Sequence, residues 1–248
     1  MKLYGLIGYP LGHSFSKKHF TEKFEGESID SKYELFEIET IEKFPTLIQT
    51  HVLSGLNVTI PYKEAVIPYL DELDETARQI GAVNVIKFIR NGKSFTLKGY
   101  NSDVIGFEKS ISKHIKTHYK KALILGTGGA SKAIDFGLRK MGIETTFVSR
   151  TPKHNQLEYS DLNKNILSDN LIIVNTTPVG MFPHEDECPD IPYRFITTEH
   201  LLFDAIYNPT ETLFLRKGKE QGAQTLNGLE MLEGQAVAAW DIWEGIIH

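Results

Sequence analysis

The residues Gly126-Thr127-Gly128-Gly129-Ala130-Ser131 directly follow the apolar run Ala122-Leu123-Ile124-Leu125 and open a helical segment that reaches Met141. Glycines at such a strand-to-helix turn let backbone N–H groups approach a pyrophosphate at the helix N-terminus, so the pattern points to a dinucleotide. Gly126 and Gly128 fit the fingerprint, while Ser131 stands where a third Gly or Ala is usual. A tight turn that binds nothing would use the same residues; the flanking strand and helix weigh toward a cofactor. The next strand ends Val148-Ser149-Arg150-Thr151-Pro152-Lys153, with no acid to hold a ribose 2′-hydroxyl. Arg150 and Lys153 can grip a 2′-phosphate and Thr151 can donate a hydrogen bond to it, which favours NADP over NAD. A solvated basic loop is the plainer alternative.

In the first half, polar residues collect at the ends of candidate strands. Ser14 and Ser16 follow the first strand, in the stretch Gly8 to Ser16; Asn57, Thr59 and Lys63 surround the end of the third. Asn84 starts the fourth, and Asn101 and Asp103 follow the fifth. Open α/β sheets bind ligands at their carboxyl edge, and amides, hydroxyls, one Lys and one Asp converging there suit a neutral polyol that carries a carboxylate. Taken singly, each is as well explained as a turn or cap residue, with Ser16 as the N-cap of the following helix. His114 and His118 have the spacing of two zinc ligands on a helix, but Ile115 stands where a metalloprotease has its Glu and no third ligand is apparent.

The elements that must position these residues alternate. Leu3 to Ile7 reads as a strand, Lys17 to Phe24 as a helix, Tyr33 to Ile38 as a strand, Ile41 to Val52 as a helix and Gly55 to Pro61 as a strand. Glu72 to Ile80 is predicted helical, and Val83 to Ile89 and Phe95 to Tyr100 form a hairpin on Asn91-Gly92. After a basic helical stretch, Ile111 to Lys121, the strands from Ala122, Thr145, Leu171 and Leu201 alternate with helices, as in a doubly wound parallel sheet. The amphipathic tail Leu229 to Ile247 can pack on either half.

The 248 residues suit two modest domains, and 41% apolar with 24% charged residues is ordinary for a globular protein. With 27 basic and 32 acidic residues the charge is −5, which gives no electrostatic reason for a nucleic-acid or anionic-membrane partner. No apolar run reaches the roughly 18 residues of a membrane helix, and Gly5, Gly8, Pro10 and Gly12 break the stretch that would otherwise look like a leader. The lone Cys188 forms no disulfide within the chain; it reads as an incidental surface residue of a protein from a reducing cytoplasm.

Six motifs in order along the whole chain resemble the shikimate dehydrogenase family. They are His13-Ser14-Phe15-Ser16, Asn57 to Glu64, Gly81-Ala82-Val83-Asn84, Gly99 to Asp103, Gly126 to Ser131 and Gly228 to Ala236. Asn175 to Met181 and Asp204 to Pro209 are also similar to it. Lys17, Ser102 and Ser149 depart from the usual Pro, Thr and Asn, the last within the cofactor loop. The resemblance implies a mixed-sheet α/β substrate-binding domain over residues 1–101, to which a C-terminal helix over 229–248 returns. It implies a Rossmann-like NADP-binding domain over 102–228. Ser14 and Ser16 would hold a carboxylate, Thr59, Asn84, Asp103, Tyr207 and Gln235 would address ring hydroxyls, and Lys63 and Asp103 would be the catalytic pair. Cofactor contacts would come from Gly126, Thr127, Gly128, Gly129, Ala130, Ser131, Ser149, Arg150, Thr151, Lys153, Ala205 and Gly228.

The activity so implied is NADPH-dependent reduction of 3-dehydroshikimate to shikimate in aromatic amino acid biosynthesis, without a metal. A homodimer fits the resemblance, but the sequence does not give the oligomeric state. Two rivals remain. An NAD-using quinate/shikimate dehydrogenase would favour an acid after the second strand of the dinucleotide half, and a non-catalytic ligand-sensing relative would have lost Lys63 or Asp103.

Overall fold

The computed structural model describes residues 1–12, 14–92 and 94–247; His13, the first residue of the serine motif, lies outside them. The chain divides into two compact units. Unit one is Met1–Ser102 with Gln235–His248, and unit two is Asp103–Gly234. Each is built on one sheet with helices on both faces, so the fold is the two-part α/β arrangement expected.

Unit one holds a six-stranded mixed sheet in the order β2-β1-β3-β5-β6-β4. Strands β1 (Lys2–Gly8), β2 (Ser31–Glu37) and β3 (Leu53–Val58) are parallel. Strand β5 (Val85–Asn91) runs against β3 and against β6 (Ser94–Tyr100), and the short β4 (Glu72–Leu73) is parallel to β6. Helix α1 (Phe15–Gly26) and the last part of α9 (Leu229–Glu244) cover one face, where Phe20, Phe24, Ala236, Ala239, Ile242 and Trp243 meet Tyr4, Leu6 and Tyr33. Helices α2 (Phe44–Thr50), α3 (Tyr62–Ala65) and α4 (Glu75–Ile80) cover the other, with Phe44, Leu47, Tyr62, Val66 and Ala77 on Ile7, Leu56 and Ile86.

Unit two has five parallel strands in the order β11-β10-β9-β7-β8. They are β7 (Lys121–Leu125), β8 (Glu144–Val148), β9 (Ile172–Asn175), β10 (Leu201–Asp204) and β11 (Gln224–Leu226). Helices α5 (Asp103–Ile111) and α6 (Gly129–Lys140), with Met231 of α9, pack on one face. Helices α7 (Lys164–Asp169) and α8 (Leu213–Glu220) pack on the other. The order changes direction between β7 and β9, the switch point at which open α/β sheets open a ligand crevice.

Several local expectations are corrected. The helix expected over Ile111 to Lys121 lies earlier, because Val104, Phe107 and Ile111 form its buried stripe; only a 3-10 turn, Ser112–His114, follows. Glu72 and Leu73 pair with Lys98 and Gly99 as a strand, and the helix starts one residue after Asp74, whose carboxylate caps it through the Ala77 N–H at 3.0 Å. Asn91 pairs with Ser94, so it ends a strand and the turn opens at Gly92, with φ +62°. The N-cap of α1 is Ser14 rather than Ser16, its hydroxyl accepting from the Lys17 N–H at 3.3 Å. Cys188 is not incidental to the packing: it lies half-buried against the cluster that holds Leu167, Ile191 and Phe214. His114 bonds to Gln224 at 2.7 Å and His118 pairs with Glu199 at 3.5 Å, and among the described residues no group of three or more acids, His or Cys is placed to hold a metal. No helix among those residues is long and apolar enough to cross a membrane.

One buried carboxylate organises the carboxyl edge of the parallel sheet. Asp204, at the end of β10, accepts from Thr212 Oγ1 at 2.6 Å, from Asn175 Nδ2 at 3.1 Å and from the Ile206 N–H at 3.0 Å. Asn175 Oδ1 in turn accepts from the Thr177 N–H and Oγ1 at 3.0 and 2.7 Å, so the loops after β9 and β10 are tied together. Burial raises the Asp204 pKa to about 6, with the three bonds working against the rise.

Two consequences can be measured. A Cβ on Gly55 would overlap the Trp243 indole, whose Nε1 donates to the Ile86 carbonyl at 3.1 Å. Gly55→Ala is therefore expected to cost about 1 to 3 kcal/mol of stability in urea unfolding, as overpacking does; unchanged stability would contradict this contact. Between pH about 4 and 6 the native state keeps a proton on Asp204 that the unfolded chain releases, so this group's contribution to stability falls as pH rises through that window. Burial lowers the pKa of His200, which runs the other way, so the readout is the difference between wild type and Asp204→Asn. Relative to the variant, wild type should lose roughly 2 to 3 kcal/mol on going from pH 4 to pH 7.

Candidate active site

In unit one the polar residues singled out from sequence gather at one sheet edge. The parallel β1 and β3 end there, β6 ends there, and the antiparallel β5 begins there, because Asn57 pairs with Val85 and Val85 with Tyr100. Ser14 and Ser16 therefore follow the β1 end, Thr59 and Lys63 follow the β3 end, Asn84 precedes β5, and Asn101 and Ser102 follow β6. Lys63 sits half-buried in the single turn of α3, which is held by the Val83 N–H donating to the Lys63 carbonyl at 2.7 Å and by Tyr62 Oη donating to Ile38 at 2.6 Å.

Capping does not remove Ser14 from ligand binding. Its oxygen accepts from the helix N–H, which leaves the hydroxyl proton able to donate to a carboxylate. Asn84 is fixed on both sides of its amide: Oδ1 accepts from the Ser102 N–H at 2.6 Å, and Nδ2 donates to Ser102 Oγ at 3.0 Å. Gln235 is the first residue of the helical segment of α9 that belongs to unit one.

In unit two the carboxyl ends of all five strands share an edge, which gathers the expected cofactor residues. Gly126 has φ +105°, and a Cβ there would come within 2.7 Å of Thr176 Oγ1, so this turn accepts only glycine. Gly128 is the N-cap of α6, with nothing within 4 Å of a Cβ position, and it brings no side chain to cap the first turn. A cradle of this shape fits a pyrophosphate: glycine backbone, an open approach and a helix N-terminus. Ser131 occupies the third fingerprint position because its hydroxyl turns inward and donates to the Gly128 carbonyl at 2.6 Å, so the larger residue fits buried at the helix start.

Beyond β8, the Ser149 hydroxyl accepts from the Thr151 N–H at 3.2 Å and the Lys153 N–H donates to Gln156 at 3.0 Å, which shapes the loop and leaves Arg150, Thr151 and Lys153 exposed. Burial raises the Tyr159 phenol above its ordinary value while the nearby Arg150 charge opposes the rise. The Gly228 N–H donates to Ile206 at 2.9 Å, and a Cβ on Gly228 would strike the Ala205 carbonyl, so Ala205 and Gly228 lie side by side. Tyr207 is exposed three residues after β10, and Asp103 is the first residue of α5.

The sequence reading assigns no role to two contributors. Asp204 opens the stretch Asp204 to Pro209 that carries part of the resemblance, but is marked there only as one acid at the end of an apolar run. Tyr33 sits in an alternating strand among core residues, and nothing in the pattern marks its hydroxyl, which donates to Asn57 Oδ1 at 2.7 Å.

Comparison with known proteins agrees with this geometry. Residues 6–86 match the family described as the shikimate dehydrogenase substrate binding domain. A shikimate dehydrogenase (NADP(+)) of Methanosphaera stadtmanae is 40% identical, over 97% of this chain and 90% of the relative. Among solved structures, shikimate dehydrogenase from Aquifex aeolicus superposes with a TM-score of 0.86 at 36% identity, covering 98% of this chain and 92% of that one. The Thermus thermophilus enzyme, solved with NADP(H) and shikimate, gives 0.86 at 28% identity, over 99% and 94% of the two chains. With the polar edge of one unit, the glycine cradle of the other and this likeness along nearly its whole length, the chain belongs to the shikimate dehydrogenase family.

Proposed function

We propose that this protein catalyses the reversible NADPH-dependent reduction of 3-dehydroshikimate to shikimate, with unit one binding the substrate and unit two the dinucleotide. The observation that carries the reading is the likeness to a shikimate dehydrogenase (NADP(+)) over 97% of the chain, which spans the polar edge and the glycine cradle alike. The exposed Arg150, Thr151 and Lys153 after β8, without an acid, support NADP over NAD, and so disfavour an NAD-using quinate/shikimate dehydrogenase. The presence of both Lys63 and Asp103 disfavours a non-catalytic sensor. The single cysteine fits a cytoplasmic enzyme, and a homodimer is the assembly to test by light scattering.

NADPH, held at the Gly126 to Ser131 cradle with Ser149, Arg150, Thr151, Lys153, Ala205 and Gly228 around it, supplies a hydride when bound. The chain's own residues do the rest. Ser14 and Ser16 donate hydroxyl hydrogen bonds to the substrate carboxylate, and Thr59, Asn84, Tyr207 and Gln235 address its ring hydroxyls. Lys63 delivers a proton to the carbonyl oxygen during reduction and takes it back during oxidation; Asp103, the other member of the catalytic pair, accepts a hydrogen bond from the substrate hydroxyl.

A spectrophotometric assay at about 340 nm with shikimate and either cofactor tests the activity directly, since reduced nicotinamide is the product that absorbs. Arg150→Ala should lower kcat/KM with NADP by at least about tenfold and leave NAD nearly unchanged; equal losses would exclude a 2′-phosphate contact. Lys63→Ala should lose about 10² to 10⁴ in kcat while shikimate binding measured by calorimetry weakens far less; near-normal kcat at saturation would make Lys63 a binding residue only. Ser14→Ala should cost about 1 kcal/mol of stability through the cap and also raise KM for shikimate. A lower Tm with unchanged KM would leave Ser14 a cap alone.

A further inference from the structure

Beneath the polar edge of unit one runs a chain of hydrogen bonds that ends on a buried phenol. Tyr33, only 2% exposed, stacks on Phe20 with ring centroids 4.9 Å apart and packs in the aromatic cluster with Tyr4 and Trp243. Packing alone would be served as well by Phe. The hydroxyl, however, donates to Asn57 Oδ1 at 2.7 Å, and the Ser16 hydroxyl opposes the rise that burial imposes on the phenol pKa. Asn57 then uses Nδ2 to donate to the Asn84 carbonyl at 3.3 Å, and the Asn84 amide is engaged on both sides by Ser102. One phenol thus joins the end of β3, the start of β5 and the residue after β6.

We propose that Tyr33 is a positioning residue for the substrate edge: its hydroxyl sets the Asn57 side chain, and through Asn57 it steadies Asn84 and Ser102. The proposal rests on the functional reading above. Asn57 Oδ1 can only accept, so the Tyr33 proton is committed to it. Removing the hydroxyl leaves a buried acceptor without its donor and loosens the Asn57 side chain that holds the Asn84 carbonyl, while no group that touches the reacting carbonyl is lost. The damage should therefore appear in substrate capture rather than in turnover.

The test compares Tyr33→Phe, Tyr4→Phe and Ser102→Ala with wild type in the shikimate assay, well below the melting temperature of each. Tyr4→Phe removes a phenol hydroxyl from the same aromatic cluster, but one bonded to Glu244 at 3.3 Å, outside the chain of bonds. Tyr33→Phe is expected to raise KM for shikimate about five- to tenfold, with kcat changed less than about twofold and KM for NADP unchanged. Tyr4→Phe should leave both KM values as they are. Combined with Ser102→Ala, the loss should be smaller than the product of the single losses, because both act on one chain. An unchanged KM for shikimate, a rise matched by Tyr4→Phe, or losses that multiply would overturn the proposal while leaving the functional reading intact. A wild type that reduces no NADP with shikimate would overturn the reading and the proposal with it.

Discussion

Trp243 can lie where it does only because position 55 carries no side chain. The indole rests on the Gly55 backbone in β3, donates to the Ile86 carbonyl in β5, and closes over Tyr4, Phe20 and Tyr33. Lys87 adds a second anchor by donating to the Ile242 carbonyl at 2.7 Å, near the last turn of α9. Without this segment half of one face of the six-stranded sheet would stand bare, since Ala236, Ala239, Ile242 and Trp243 supply the apolar surface that α1 does not. The same contact fixes the rotation of the α9 segment that begins at Gln235.

The two sheets treat polarity in opposite ways. In unit one the edge is built from side chains, amides and hydroxyls that satisfy one another in a buried chain from Tyr33 to Ser102. In unit two it is built from glycine backbone at Gly126 and Gly128, with a side-chain network around Asp204 tying the loops after β9 and β10. The first arrangement suits a ligand rich in hydroxyl groups, which needs donors and acceptors at defined angles. The second suits phosphates, which accept from any N–H that can come close enough.

Much of this was legible in the sequence because it is local. The Gly126 to Ser131 turn, the missing acid after β8 and the order of strands and helices are read from neighbours along the chain. What was not legible depends on distant partners. The stretch around Ile115 and Tyr119 carries apolar residues at helical spacing, yet it unwinds where Gln224 takes up His114. Glu72 and Leu73 become a strand only because Lys98 and Gly99 lie beside them. The serine that caps α1 and the half-burial of Cys188 are likewise settled by packing, and a tyrosine in an alternating strand does not disclose whether its hydroxyl has work to do.

The split of unit one between Met1–Ser102 and Gln235–His248 sets an order of events during synthesis. A ribosome completes every residue of unit two before it makes the segment that carries Ala239 and Trp243. The unit begun first is therefore the one finished last, and until then its aromatic face, with Tyr4, Phe20 and Tyr33, has no cover from α9. Nascent chains should form the glycine cradle on a folded sheet while the polar edge still waits for its closing helix. Loss of the final dozen residues would accordingly strike the part of the protein encoded at the opposite end of the message.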